Sequence, residues 1–179
     1  MRLFALSGSL RAGSTHGVLL RAAELLAPAG TVFDLYGELE SIPPFNPDRD
    51  IDPPPAAVAD FRARLRACDG VLISSPEYIH GVPGVLKNAL DWTASSGEFV
   101  GKPVALLGAA TRGEHARASL LETLRVLTAR IVAEAALAVD FPRREATAEE
   151  IAGDPELAGK IRAALAAFAR AVEAALGES

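Results

Sequence analysis

Leu3-Phe4-Ala5-Leu6-Ser7-Gly8-Ser9-Leu10-Arg11-Ala12-Gly13-Ser14-Thr15-His16-Gly17-Val18-Leu19-Leu20 is the stretch on which the fold turns. A short apolar run breaks into glycines and hydroxyls, and apolar residues then resume at helical spacing. The pattern is that of a strand, a tight loop and a helix. Gly8 and Gly13 allow the backbone to turn sharply and to approach a ligand, while Ser9, Ser14 and Thr15 set hydroxyls beside the free N–H groups of a helix start. Arg11 adds a fixed charge and forked donors, which suits a single phosphate group. A turn that merely caps a helix would also carry Ser and Gly; Arg11 among the hydroxyls favours the phosphate.

Two other phosphate loops are excluded. Gly8-x-x-x-x-Gly13 is followed by Ser14-Thr15, so Ser stands where a triphosphate loop needs its Lys. No G-x-G-x-x-G makes room for a pyrophosphate, and Asp34, placed like a ribose-binding acid at the end of the next strand, reads as an ordinary strand-end residue.

The 179 residues suit one domain spanning 1–179, with half of them hydrophobic. A net charge of −5 with 6% aromatics and no basic tract argues against nucleic acid or an anionic membrane as partner. No apolar run approaches the roughly 18 residues of a membrane span, and Leu3 to Leu6 is too short for a secretory signal, so the expected location is cytoplasmic. The single Cys68 excludes an internal disulfide and reads as a small buried hydrophobe. With the three His residues it makes no metal-ligand spacing.

Further along, Thr31 to Leu35 reads as a strand, and Tyr36 to Pro55 as a long proline-rich connection of the kind that is functional or forms an interface. Ala56 to Ala67 is amphipathic, with Val58, Phe61 and Leu65 inward and Arg62, Arg64 and Arg66 on a solvated face. Val71-Leu72-Ile73 and Val104 to Gly108 read as strands covered on both sides, and Ile131-Val132 with Leu137-Ala138-Val139 as one broken strand. Helices follow over Val82 to Trp92, around Leu120 to Leu127, and over Pro155 to Leu176. Alternating strands and helices predict an α/β fold with a five-stranded parallel sheet in three layers. The loops 8–16, 75–81 and 109–113 then meet at the carboxyl edge of the sheet, where ligands bind. A phosphate held by the first loop, with a planar body flanked by the others, points to a mononucleotide such as FMN.

Two stretches resemble the NAD(P)H-dependent FMN reductase family of flavodoxin-like quinone, azo-dye and chromate reductases. Gly8-Ser9-Leu10-Arg11-x-x-Ser14 is similar to its phosphate loop, and Ser75-Pro76-Glu77-Tyr78-x-His80-Gly81 through Trp92 is similar to its second signature. Gly101-Lys102-Pro103-Val104-Ala105 is a weaker third match. The resemblance implies a flavodoxin-like sandwich binding FMN, with the phosphate on Ser9, Arg11, Ser14, Thr15 and His16. It places the ring against Pro76, Glu77, Tyr78 and Ile79, with Thr111 in the third loop. It further implies NADPH or NADH as hydride donor, a small-molecule electron acceptor, and a homodimer or dimer of dimers that employs the 36–55 loop and the face near Trp92. A flavodoxin-type electron carrier is the alternative, disfavoured by Arg11 and the second signature. His16 and Ile79 both stand where the family often has Asn. Because the chemistry resides on the flavin, no catalytic acid or base is assigned; Glu77 is expected to order backbone or meet a neighbouring subunit.

Overall fold

The computed structural model describes residues 1–109, 113–139 and 146–178. Its sheet comprises β1 (Arg2–Ser7), β2 (Val32–Tyr36), β3 (Gly70–Ser74), β4 (Pro103–Ala109), β5 (Arg130–Ile131) and β6 (Leu137–Val139). All pairings are parallel, in the order β2-β1-β3-β4-β5, with β6 also on β4. β5 pairs with the start of β4 and β6 with its end, so the two are halves of one edge strand, interrupted by a 3₁₀ turn at Ala133–Ala135. The five strand positions and the broken edge are as the sequence predicts.

Side chains on the strands alternate between two cores, as the two-residue period of a strand requires. Leu3, Ala5, Leu72 and Leu107 pack with α1 (Thr15–Leu25) and α6 (Pro155–Gly177). Phe4, Leu6, Ile73 and Leu106 pack on the other face with α2 (Ala56–Ala67), α3 (Gly84–Asp91) and α4 (Glu114–Val126). The result is three layers, with the strand order reversing between β1 and β3. A further short helix, α5 (Ala148–Gly153), closes the first core with Ile151.

Two local readings change. Arg62 is not on a solvated face: it donates from Nε (2.8 Å) and Nη2 to the Trp92 carbonyl and pairs with Asp50 at 2.7 Å, both side chains being about nine-tenths buried. A hydrogen bond from the Ser95 hydroxyl, aided by Arg62 and opposed by burial, holds the Asp50 carboxyl below its ordinary value. Arg66 is exposed as expected, and its guanidinium reaches the buried carboxylate of Glu98 at 2.6 Å. Asp34 lies inside β2 rather than at its end, and pairs with Arg64 at 3.0 Å.

The long 36–55 connection is bound down within the chain. Trp92 Nε1 donates to the Pro43 carbonyl at 2.8 Å, Asn88 Oδ1 accepts from the Phe45 N–H at 2.7 Å, and the Phe45 ring meets Trp92 edge-on. Trp92 is fully buried by these contacts, so its side chain offers no surface to a second subunit. Cys68 is buried as expected.

Candidate functional site

Because β3 lies between β1 and β4, the three strands deliver their carboxyl-end loops side by side. The first two loops are joined at the root: the Gly8 N–H donates to the Ser74 carbonyl at 2.8 Å. A Cβ on Gly8 would stand 2.5 Å from Ser75 Oγ and 3.1 Å from Leu86. The second loop therefore requires glycine there. Gly13 has open space around the place a Cβ would take, so no steric demand explains it.

The first loop is stitched internally. Ser7 Oγ accepts from the Ser9 N–H and Ser9 Oγ from the Arg11 N–H, both at 3.3 Å, and the Ser14 N–H donates to the Arg11 carbonyl at 2.9 Å. Ser14 is the N-cap of α1, its hydroxyl accepting from the His16 N–H at 3.2 Å, and Thr15 opens the helix. Ser14 thus satisfies one free donor of the helix start and leaves others at the loop. Arg11 is exposed and has no side-chain partner among the described residues. It shares with Ser7, Ser9 and Arg21 a cleft of about 230 Å³ whose far wall is Tyr36 and Gly37 at the end of β2.

His16 turns toward β3. Its Nδ1 lies 2.9 Å from the Oγ of the fully buried Ser74. Burial disfavours the imidazolium and lowers the His16 pKa from 6.5 to about 4, so the ring is neutral at pH 7. The sign for stability follows: between pH 6.5 and 4 the unfolded chain takes up a proton that the folded chain refuses. On going from pH 7 to 4.5, His16 should therefore remove about 2 kcal/mol of stability. Urea unfolding at the two pH values should show His16→Asn losing less than the parent by that amount.

The second loop forms a two-residue hairpin turn. Tyr78 and Gly81 exchange N–H···O bonds of 3.1 and 3.0 Å across Ile79 and His80, whose φ angles are +50° and +56°. Two positive φ values in succession define a turn that favours Asn-Gly, and a β-branched residue there is strained. Ile79 is wholly exposed, so its side chain offsets none of that strain by packing. Ile79→Asn should raise stability by about 1 kcal/mol, seen as a higher denaturant midpoint at unchanged slope.

Glu77 Oε2 accepts from the Ala116 N–H at 2.8 Å, which ties the turn to the first turn of α4, and the His80 ring stacks on His115 at 4.4 Å. Glu77 therefore orders backbone, one of its two expected uses. Pro76 is half-buried and Tyr78 exposed. Thr111 lies outside the described residues, as does most of the third loop. A small cavity of about 50 Å³ opens between the ends of β3 and β4, lined by Ile73, Ser75, Gly108 and Arg117. Among the described residues no cluster of His, Cys, Asp or Glu can hold a metal ion.

The geometry thus brings Ser9, Arg11, Ser14, Thr15 and His16 together at one helix start and sets Pro76 to Ile79 on the neighbouring strand end. Ser7 and Ser74 also belong to this edge. Their signal was a hydroxyl closing an apolar strand run, and only the fold shows that 58 residues of separation become one hydrogen bond.

The sheet order and the strand–loop–helix turn after β1 define a flavodoxin-like α/β protein. Flavodoxin 1 of Bacillus cereus superposes with a TM-score of 0.61 at 17% identity, over 95% of this chain and 98% of that one. The chain belongs to the NADPH-dependent FMN reductase family, whose model matches residues 1–143. An NAD(P)H-dependent FMN reductase of Pseudomonas aeruginosa is 41% identical over 111 residues, 61% of this chain and 60% of the relative. A quinone reductase of Escherichia coli K12 is 36% identical over 107 residues, 58% of this chain and 57% of the relative. The matched stretch thus spans about three fifths of these relatives. FerB, a flavoenzyme NAD(P)H:(acceptor) oxidoreductase of Paracoccus denitrificans, covers 97% of both chains at 26% identity and a TM-score of 0.78.

Proposed function

We propose that this chain binds FMN and passes reducing equivalents from NADPH or NADH to quinone-like or other small acceptors, free flavin included. The observation that carries the reading is the first loop itself: the exposed Arg11 guanidinium, without a side-chain partner among the described residues, and the Ser9 hydroxyl stand just ahead of the N-terminus of α1, donors that suit a phosphate monoester. The activities named for the Pseudomonas, Escherichia and Paracoccus relatives support it.

Bound FMN supplies the electron-carrying ring, so the reactive atoms belong to the cofactor. The chain's part is placement. Ser9, Arg11, Ser14, Thr15 and His16 hold the phosphate, and Pro76 to Ile79, with Thr111, bound the ring. Glu77 acts through its bond to the Ala116 N–H, which fixes the turn against α4, and no residue serves as acid or base. Pairing of two copies near the turn belongs to the same reading and is supported by the exposed Tyr78 and Ile79.

One anaerobic experiment tests this. FMN-loaded protein should lose its yellow absorbance on addition of NADPH or NADH and regain it on addition of a quinone. Retained absorbance with both nicotinamides would favour a flavodoxin-type carrier. Protein that takes up no FMN would end the proposal.

A further inference from the structure

The proposed flavin site contains a pairing that nothing in the first loop requires. Ser74 closes β3, its side chain is fully buried, and its hydroxyl hydrogen has one acceptor in reach among the described residues: Nδ1 of His16 at 2.9 Å. A buried hydroxyl left without an acceptor is costly, so Ser74 donates and Nδ1 accepts. A neutral imidazole that accepts at Nδ1 must carry its proton at Nε2. Nε2 in turn has no protein partner among the described residues. His16 belongs to the first turn of α1, beside the N-cap Ser14, where the helix start already collects free N–H donors.

We propose that Ser74 is a positioning residue which, by donating to Nδ1, locks His16 as the Nε2–H tautomer and so makes an uncharged imidazole a donor to the flavin phosphate. The inference rests on FMN binding at this loop. It explains how His serves where the related family often has Asn: the locked ring offers one N–H donor, as a side-chain amide does, and adds no charge. Burial disfavours the imidazolium before the phosphate arrives, so the ring that meets it is neutral.

The tautomer is measurable without flavin. Long-range ¹H–¹⁵N spectra of histidine-labelled protein at pH 7, with His16 assigned by its loss in His16→Asn, should show Nε2 protonated and Nδ1 bare. In Ser74→Ala the two forms should mix, and the FMN dissociation constant should rise roughly 2- to 12-fold, the range of one ordinary hydrogen bond. Ser74→Thr, which keeps the hydroxyl, should restore both readouts. A proton on Nδ1 in the parent, or an unchanged tautomer and unchanged FMN affinity in Ser74→Ala, would overturn the proposal. Failure of the parent to bind FMN, with the Nε2–H form intact, would instead overturn the flavin assignment and with it the role given to the tautomer. Should Ser74→Ala not fold, the parent spectrum and Ser74→Thr decide the matter.

Discussion

Arg62→Ala should lower the unfolding free energy by about 3 kcal/mol, because it leaves Asp50 as a buried carboxylate without its cation. For a chain of this size that corresponds to roughly 6–12 °C in the thermal midpoint. The side chain does two things at once. It neutralises Asp50, at 2.7 Å, and it satisfies the Trp92 carbonyl where α3 ends. The pair therefore joins the 36–55 connection to α2 and to the end of α3. A double-mutant cycle with Asp50→Ala isolates the pair: the double variant should lose less than the sum of the singles by more than 1 kcal/mol, a coupling expected only of groups in contact. Additive losses would show that Arg62 acts through its packing alone.

Arg62 also marks what the sequence could not disclose. The Val58, Phe61 and Leu65 stripe set the inward face of α2 correctly, but a stripe says nothing of what covers the flanks. Here the flank is covered by a connection that prolines made look like an open loop. Its order comes from Asn88, Trp92 and Arg62, all more than ten residues away, and no local pattern encodes such contacts. A continuous apolar run, by contrast, is local: Val71-Leu72-Ile73 announced a strand covered on both sides, and both cores bear it out, with Leu72 on one face and Val71 and Ile73 on the other. The helix at Ala148–Gly153 was legible yet missed, for Thr147 and Glu150 form a reciprocal capping box, the spacing that announces a helix start. In the site, the residue types of the first loop carried the phosphate reading. The link from His16 to Ser74 and the positive φ at Ile79 needed the fold, since each depends on a neighbour or a backbone angle that residue type leaves open.

The second large effect falls on ligand binding and not on stability. Arg11→Ala should weaken FMN retention by about 1.5 to 3 kcal/mol, the range for a hydrogen bond to a charged group, or roughly 10- to 150-fold in the dissociation constant. The fold should be indifferent to the change, because the Arg11 side chain is exposed and has no protein partner among the described residues. Arg11→Lys keeps the charge and loses the fork, so its affinity should fall between the two. Fluorescence titration of FMN, whose emission changes on binding, reads all three proteins, and urea unfolding checks that they are equally stable. Equal FMN affinity in parent and Arg11→Ala would remove Arg11 from the site.

The most direct measurement is a crystal structure of the protein grown with FMN. The phosphate should lie at the start of α1, within hydrogen-bonding distance of Arg11 and of backbone N–H groups between Ser9 and His16, with the ring beside the Pro76 to Ile79 turn. Flavin bound elsewhere, with the Ser9 to His16 loop empty or closed by its own side chains, would contradict the assignment.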